Sequence, residues 1–98
     1  MNFGKAIRTL RKHSNQSQQE FADDIGISQT SLSLIESGKT KPTGATLDRI
    51  AEKFKTRAAI IAMAAIEVEK DVPPGKRKLF KELFPDFEEN VWTLIFHK

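Results

Sequence analysis

Apolar residues recur along the chain at helical spacing, and the polar breaks between them carry helix start and stop signals. Phe3, Ile7 and Leu10 fall on one helical face, with Asn2 placed to cap it. After a break at His13-Ser14-Asn15-Gln16, Ser17-Gln18-Gln19-Glu20 has the spacing of a capping box, in which hydroxyl and carboxylate each satisfy the other's backbone N–H. Phe21, Ala22 and Ile25 give the second helix one apolar side, and Gly26 stands where a left-handed closing residue is wanted. Ile27 plugs the turn. Ser28 caps a third helix with Leu32 and Ile35 inward, and Gly38 ends it. Thr43 caps a fourth, whose Leu47, Ile50, Ala51 and Phe54 repeat at i, i+3, i+4 and i+7. A fifth, rich in Ala and Ile, is expected from Thr56 to about Lys70.

Asp71-Val72-Pro73-Pro74-Gly75 stops that helix and marks a boundary. Beyond it, Leu79, Phe80, Leu83 and Phe84 form a short amphipathic turn that Pro85 breaks. Asp86-Phe87-Glu88-Glu89 resembles a second capping box, opening a last helix with Val91, Trp92, Leu94, Ile95 and Phe96. There is no Tyr, no alternating β-branched run and no Asn-Gly hairpin, so the expected fold is all-α. The expected division is residues 1–70 as one domain and 71–98 as a helical C-terminal extension.

Composition narrows the chemistry. The 98 residues are 39% hydrophobic and 30% charged, as in a single small globular domain. Cysteine is absent, which removes disulfides, thiolate metal sites and cysteine nucleophiles. His13 and His97 lie far apart without a carboxylate cluster at ligand spacing, so no metal site is expected, and no cofactor. The longest apolar run, residues 58–66, is nine residues, and five of them are Ala, too short for a membrane span. Met1-Asn2-Phe3-Gly4-Lys5 has no signal-peptide core. The expected location is cytoplasmic. Charge is uneven: residues 1–57 hold ten Lys/Arg against six Asp/Glu, whereas residues 58–98 hold six against seven. A basic first half points to an anionic partner there.

Two short helices around Asp24-Ile25-Gly26-Ile27-Ser28 have the plan of a helix-turn-helix. The glycine allows the turn, the apolar residues lock the helices, and the outer side of the second is small and polar. The run from Ser17 through Gly26 and Ser28 to Lys39, with Lys41-Pro42 and Leu47 after it, resembles the lambda-repressor-like (Cro/CI, XRE) helix-turn-helix family. The resemblance spans about Phe3 to Met63. It implies a five-helix domain that binds double-stranded DNA, usually as a homodimer on a palindromic operator.

The resemblance puts Gln29 and Thr30 among the base readers, in the first turn of the recognition helix after Ser28. Gln29 suits adenine N6/N7, and Thr30 offers a methyl to thymine or a hydroxyl to either base type. Ser33 and Leu34 face the same groove one turn on. Leu34 departs from the polar residue of many relatives and would favour a thymine methyl. Phosphates are expected at Gln18, on the amino end of the second helix, with Ser17 beside it. Lys39 and Lys41 hold phosphates from the basic loop, with Ser37 and Thr40 as donors. In relatives, residues at the positions of Arg11 and Glu36 pair across the first and third helices, leaving Arg11 partly open to a phosphate.

The serines invite a nucleophile reading, but no histidine or acid is placed to activate one. The chain is therefore expected not to be an enzyme. The aromatic tail supports two alternatives: with the fifth helix it forms a dimer interface, or it folds back within one monomer. A rival function is an antitoxin whose tail binds a partner toxin.

Overall fold

The computed structural model describes residues 1–97. Among them are eight α-helices and no strand. They are α1 (Phe3–His13), α2 (Gln18–Ile25), α3 (Gln29–Glu36), α4 (Gly44–Lys53), α5 (Ala58–Ala64), α6 (Val68–Asp71), α7 (Arg77–Leu83) and α8 (Phe87–Phe96). A 3-10 turn at Pro74–Lys76 precedes α7. Five helices and a helical extension are what the periodicity predicts. No helix among the described residues is long and apolar enough to cross a membrane.

The helix starts follow the capping residues. The side chains of Asn2, Ser17, Ser28 and Thr43 accept from the backbone N–H of Lys5, Glu20, Ser31 and Thr46. Each such cap contributes about 1 kcal/mol. At Ser17 the capping box is complete, because the Glu20 carboxylate accepts from the Ser17 N–H at 3.0 Å. Gly26 (φ 73°) and Gly38 (φ 80°) take the left-handed conformation just after α2 and α3, where a Cβ would strain the reversal.

Helices α1 to α5 bury Ile7, Leu10, Phe21, Ile25, Leu32, Ile50 and Ile61 in one cluster. Val91 and Ile95 of α8 belong to the same cluster. The Phe96 ring stacks on His13 with centroids 3.6 Å apart and on Trp92 at 5.4 Å. The last helix thus packs into the same core as helices α1 to α5. Helix α7 is held more lightly, through Phe80 against Phe84 and Phe87 at 5.1 and 5.2 Å.

Two local expectations are corrected. The fifth helix spans only Ala58–Ala64, capped by Arg57 without a side-chain bond. It stops because buried Ala65 turns its carbonyl to the Asn2 N–H at 2.7 Å, tying the chain to the start of α1. Residue 67 is then extended, and Asp71 closes the separate turn α6 by accepting from the Glu67 N–H at 2.7 Å. The second correction is at Asp86, which forms no capping box. Its backbone is left-handed (φ 56°) and its side chain makes no cap bond. The chain reverses there within a few residues, so that Phe87 can lie against Phe80 and Phe84.

Periodicity also gives no notice of Gly4. A Cβ there would lie 2.5 Å from the Ile35 carbonyl oxygen and 2.7 Å from that of Glu36. Helix α1 crosses the end of α3 at backbone contact, and only glycine fits. Gly4→Ala should therefore lower stability by about 1–3 kcal/mol in chemical denaturation, since backbone must shift to admit the methyl. Gly44→Ala, at a position with open space, should be neutral or stabilising by up to about 1 kcal/mol.

Candidate nucleic-acid interface

The inner side of α3 is fixed and its outer side is open. Leu32, Ile35 and Glu36 are buried, while Ser28, Thr30, Leu34 and Ser37 are exposed and Gln29 and Ser33 half-buried. The turn before α3 is braced from α4: Arg49 Nη1 donates to the Gly26 carbonyl at 3.4 Å, and Lys53 pairs with Asp24 at 2.8 Å.

The carboxylate of Glu36 is the anchor. Its side chain is completely shielded from solvent, and Arg11 grips it with two bonds, Nε to Oε2 at 2.7 Å and Nη2 to Oε1 at 2.9 Å. This is the pairing that the resemblance implies. Arg8 adds Nε at 3.4 Å, and Gln18 donates Nε2 to Oε1 at 3.2 Å. Burial alone would push the Glu36 carboxyl up. The hydrogen bonds of Arg11 and Gln18, the charge of Arg11 and the bond from Arg8 outweigh it, and the group titrates below its ordinary value. The hydrogen bonds that Arg11 donates to Glu36 raise the guanidinium against its own desolvation, with the carboxylate's charge adding to it.

This anchor also orients two amides. A carboxylate can only accept, so Gln18 must turn its NH2 toward Glu36. The Gln18 carbonyl is then free to accept from Gln29 Nε2, at 2.8 Å. The carbonyl and second N–H of Gln29 take no side-chain hydrogen bond among the described residues. A chain of side chains thus runs from the core to the first turn of α3.

The other sequence-predicted residues separate into two groups. Ser17, Ser28 and Ser37 serve helix ends: Ser17 accepts from Glu20 N–H, Ser28 accepts from Ser31 N–H, and Ser37 donates to the Leu34 carbonyl at 3.0 Å. Thr30, Ser33, Lys39, Thr40 and Lys41 take no side-chain hydrogen bond or ion pair among the described residues. The loop carrying the lysines is wound against α3, because the N–H groups of Lys39 and Thr40 both donate to the Leu34 carbonyl, at 3.0 and 3.3 Å. It therefore presents its cations at the end of α3.

Arg8 and the two glutamine contacts escape a reading of the sequence. For Arg8 there was a signal: Gly4, Arg8 and Arg11 share one helical face at i, i+4 and i+7. For Gln18 and Gln29, eleven residues apart, there was none without the angle between α2 and α3.

A capped helix, a left-handed glycine turn and a second helix with a buried inner and polar outer side define a helix-turn-helix. The model of the Helix-turn-helix family matches residues 7–61, more than half of the chain, and the chain belongs to that family in its Cro/CI type. It is similar to the ImmF control region 10 kDa protein of Bacillus phage phi105, 37% identical over 65 residues, covering 66% of this chain and 72% of that protein. It is also similar to the antitoxin PezA of Streptococcus pneumoniae, 43% identical over 51 residues, or 52% of this chain. The match spans only 32% of that antitoxin's length. No solved structure matches the chain.

Glu36→Gln removes the anchor's charge but keeps its size. At neutral pH it should cost about 1.5–3 kcal/mol, the range for a hydrogen bond to a charged group. A carboxyl held below its unfolded value contributes stability that is fully present above about pH 4.3 and is lost as pH falls through the folded value. The gap between the parent chain and the variant, followed by urea denaturation, should narrow below that pH. A gap independent of pH would contradict the account.

Proposed function

We propose that this chain is a double-stranded-DNA-binding transcription regulator that enters the major groove with α3. Its family and its likeness to a phage control-region protein support the regulatory role. The single observation that carries the mode of reading is the hydrogen-bonded line from Glu36 through Gln18 to Gln29. It leaves Gln29 with one carbonyl and one N–H directed away from Gln18, the pair that adenine N6 and N7 require. Thr30, Ser33 and Leu34, with Ser28 at the helix start, supply the remaining base contacts, and Leu34 favours a thymine methyl.

Phosphates are held on both sides of the groove. Gln18 and Ser17 sit at the amino end of α2, where unpaired N–H groups and the helix dipole favour an anion. Lys39, Thr40 and Lys41 approach the backbone at the other end, with Ser37, and Arg11 contributes the part of its guanidinium not engaged by Glu36. Two copies bind a palindromic operator with their α3 helices roughly 34 Å apart, one helical turn of DNA. The setting is the cytoplasm, with no cofactor. A second reading, that a partner protein such as a toxin is bound through the tail, draws on the antitoxin relative and on apolar side chains left exposed on α7. Co-purification of another chain would favour it.

Selection of bound sites from a random duplex pool, followed by titration of the best site, tests the proposal. Gln29→Ala should relax preference at one base position by about 1–3 kcal/mol. Lys41→Ala should weaken all sequences alike and lower the slope of log K against log salt by about 1. Failure to retain any duplex at low salt would overturn the DNA reading.

A further inference from the structure

Helix α7 has a satisfied side and an unsatisfied one. Phe80 turns inward onto Phe84 and Phe87. Leu79 and Leu83, one turn apart and to one side of Phe80, are 53% and 62% exposed. Beside this pair run Lys78 and Glu82, also one turn apart and exposed. Neither takes an ion pair among the described residues, whereas Arg77 and Lys81 on the inward side both engage Glu69.

We infer that this side of α7 is where a second copy of the chain docks, antiparallel about a two-fold axis. The inference rests on the dimer of the preceding section and says where it forms. Charge decides both occupant and direction. Across a two-fold axis the same flank of each helix meets its own copy in reverse. Leu79 then packs on Leu83 of the partner subunit, and Lys78 faces Glu82 of the partner subunit, each twice. About an axis parallel to the helices, the flank with Lys78 and Glu82 would instead meet the opposite flank of the partner helix, away from both charges. The same reversal brings the basic start of α7, with Lys76 and Lys78, beside the acidic start of α8, with Asp86, Glu88 and Glu89. The surface is complementary to itself, as an isologous interface must be. Helix α3 packs on α1 and α2, and α8 on α5, so covering α7 leaves the outer side of α3 open. A contact of one seven-residue helix per copy is small, and the dimer is reversible.

Sedimentation equilibrium of the full chain over a range of concentrations reads the association, with half-site duplex binding measured in parallel. Lys78→Glu and Glu82→Lys should each weaken the dimer by about tenfold through like-charge contact, and the double reversal should restore it. Leu79→Glu with Leu83→Glu, both at exposed positions, should be folded by circular dichroism, monomeric, and still able to bind one half-site. A chain that stays monomeric throughout, a dimer indifferent to all these changes, or another protein bound to α7 of a monomeric chain would overturn the inference. A dimer lost in the variants but never retaining DNA would support this interface and sink the DNA reading instead. Half-site binding by a chain that never dimerises would do the reverse.

Discussion

The fold turns on a carboxylate that has lost its water. Glu36 ends α3 inside the protein, and taking a charge into such a place is costly unless it is paired with good geometry. Arg11 meets that requirement with two bonds from α1, and Arg8 and Gln18 add further donors to its Oε1. Well-packed apolar residues often give as much stability as a buried ion pair. They have no direction, however. An ion pair with a glutamine attached fixes α1, α2 and α3 to a single point and sets which way an amide faces. The backbone approach at Gly4 reinforces the same junction, because α1 touches the carbonyls of Ile35 and Glu36 itself.

From that junction outward, the two sides of α3 have separate tasks. Leu32 and Ile35 determine the angle at which the helix leaves the core. Gly26 reverses the chain before it, braced by Arg49 and the Lys53–Asp24 pair from α4. Thr30, Leu34 and the lysine loop make no contact on which that angle depends. Outer residues can therefore change identity, and with it the contacts α3 offers, without disturbing the mount.

Much of this was legible in the chain because it rests on local chemistry. Asn2, Ser17, Ser28 and Thr43 announce helix starts by hydroxyl or amide chemistry, and Gly26 and Gly38 announce ends by lacking a Cβ. Local signals failed where distant segments decide. The fifth helix has the composition to continue past Ala64, but Asn2, more than sixty residues earlier, takes the Ala65 carbonyl. Asp86 has the spacing of a cap, yet the tight return from α7 to α8 forces its backbone left-handed. The pairing of Arg11 with Glu36 was available only through family resemblance. The glutamine line depends on how α2 and α3 cross, and so it was not legible at all.

The return of α8 onto α5 has a consequence for how the protein is made. Ile61 and Phe96 are separated by thirty-five positions, and Val91 and Ile95 sit in the same cluster as Ile7 and Phe21. Synthesis proceeds from the amino terminus, so the helix-turn-helix half emerges from the ribosome first while part of its apolar interior still waits inside the exit tunnel. The nascent chain therefore holds an unfinished core, on the α5 side, until Ile95 is free.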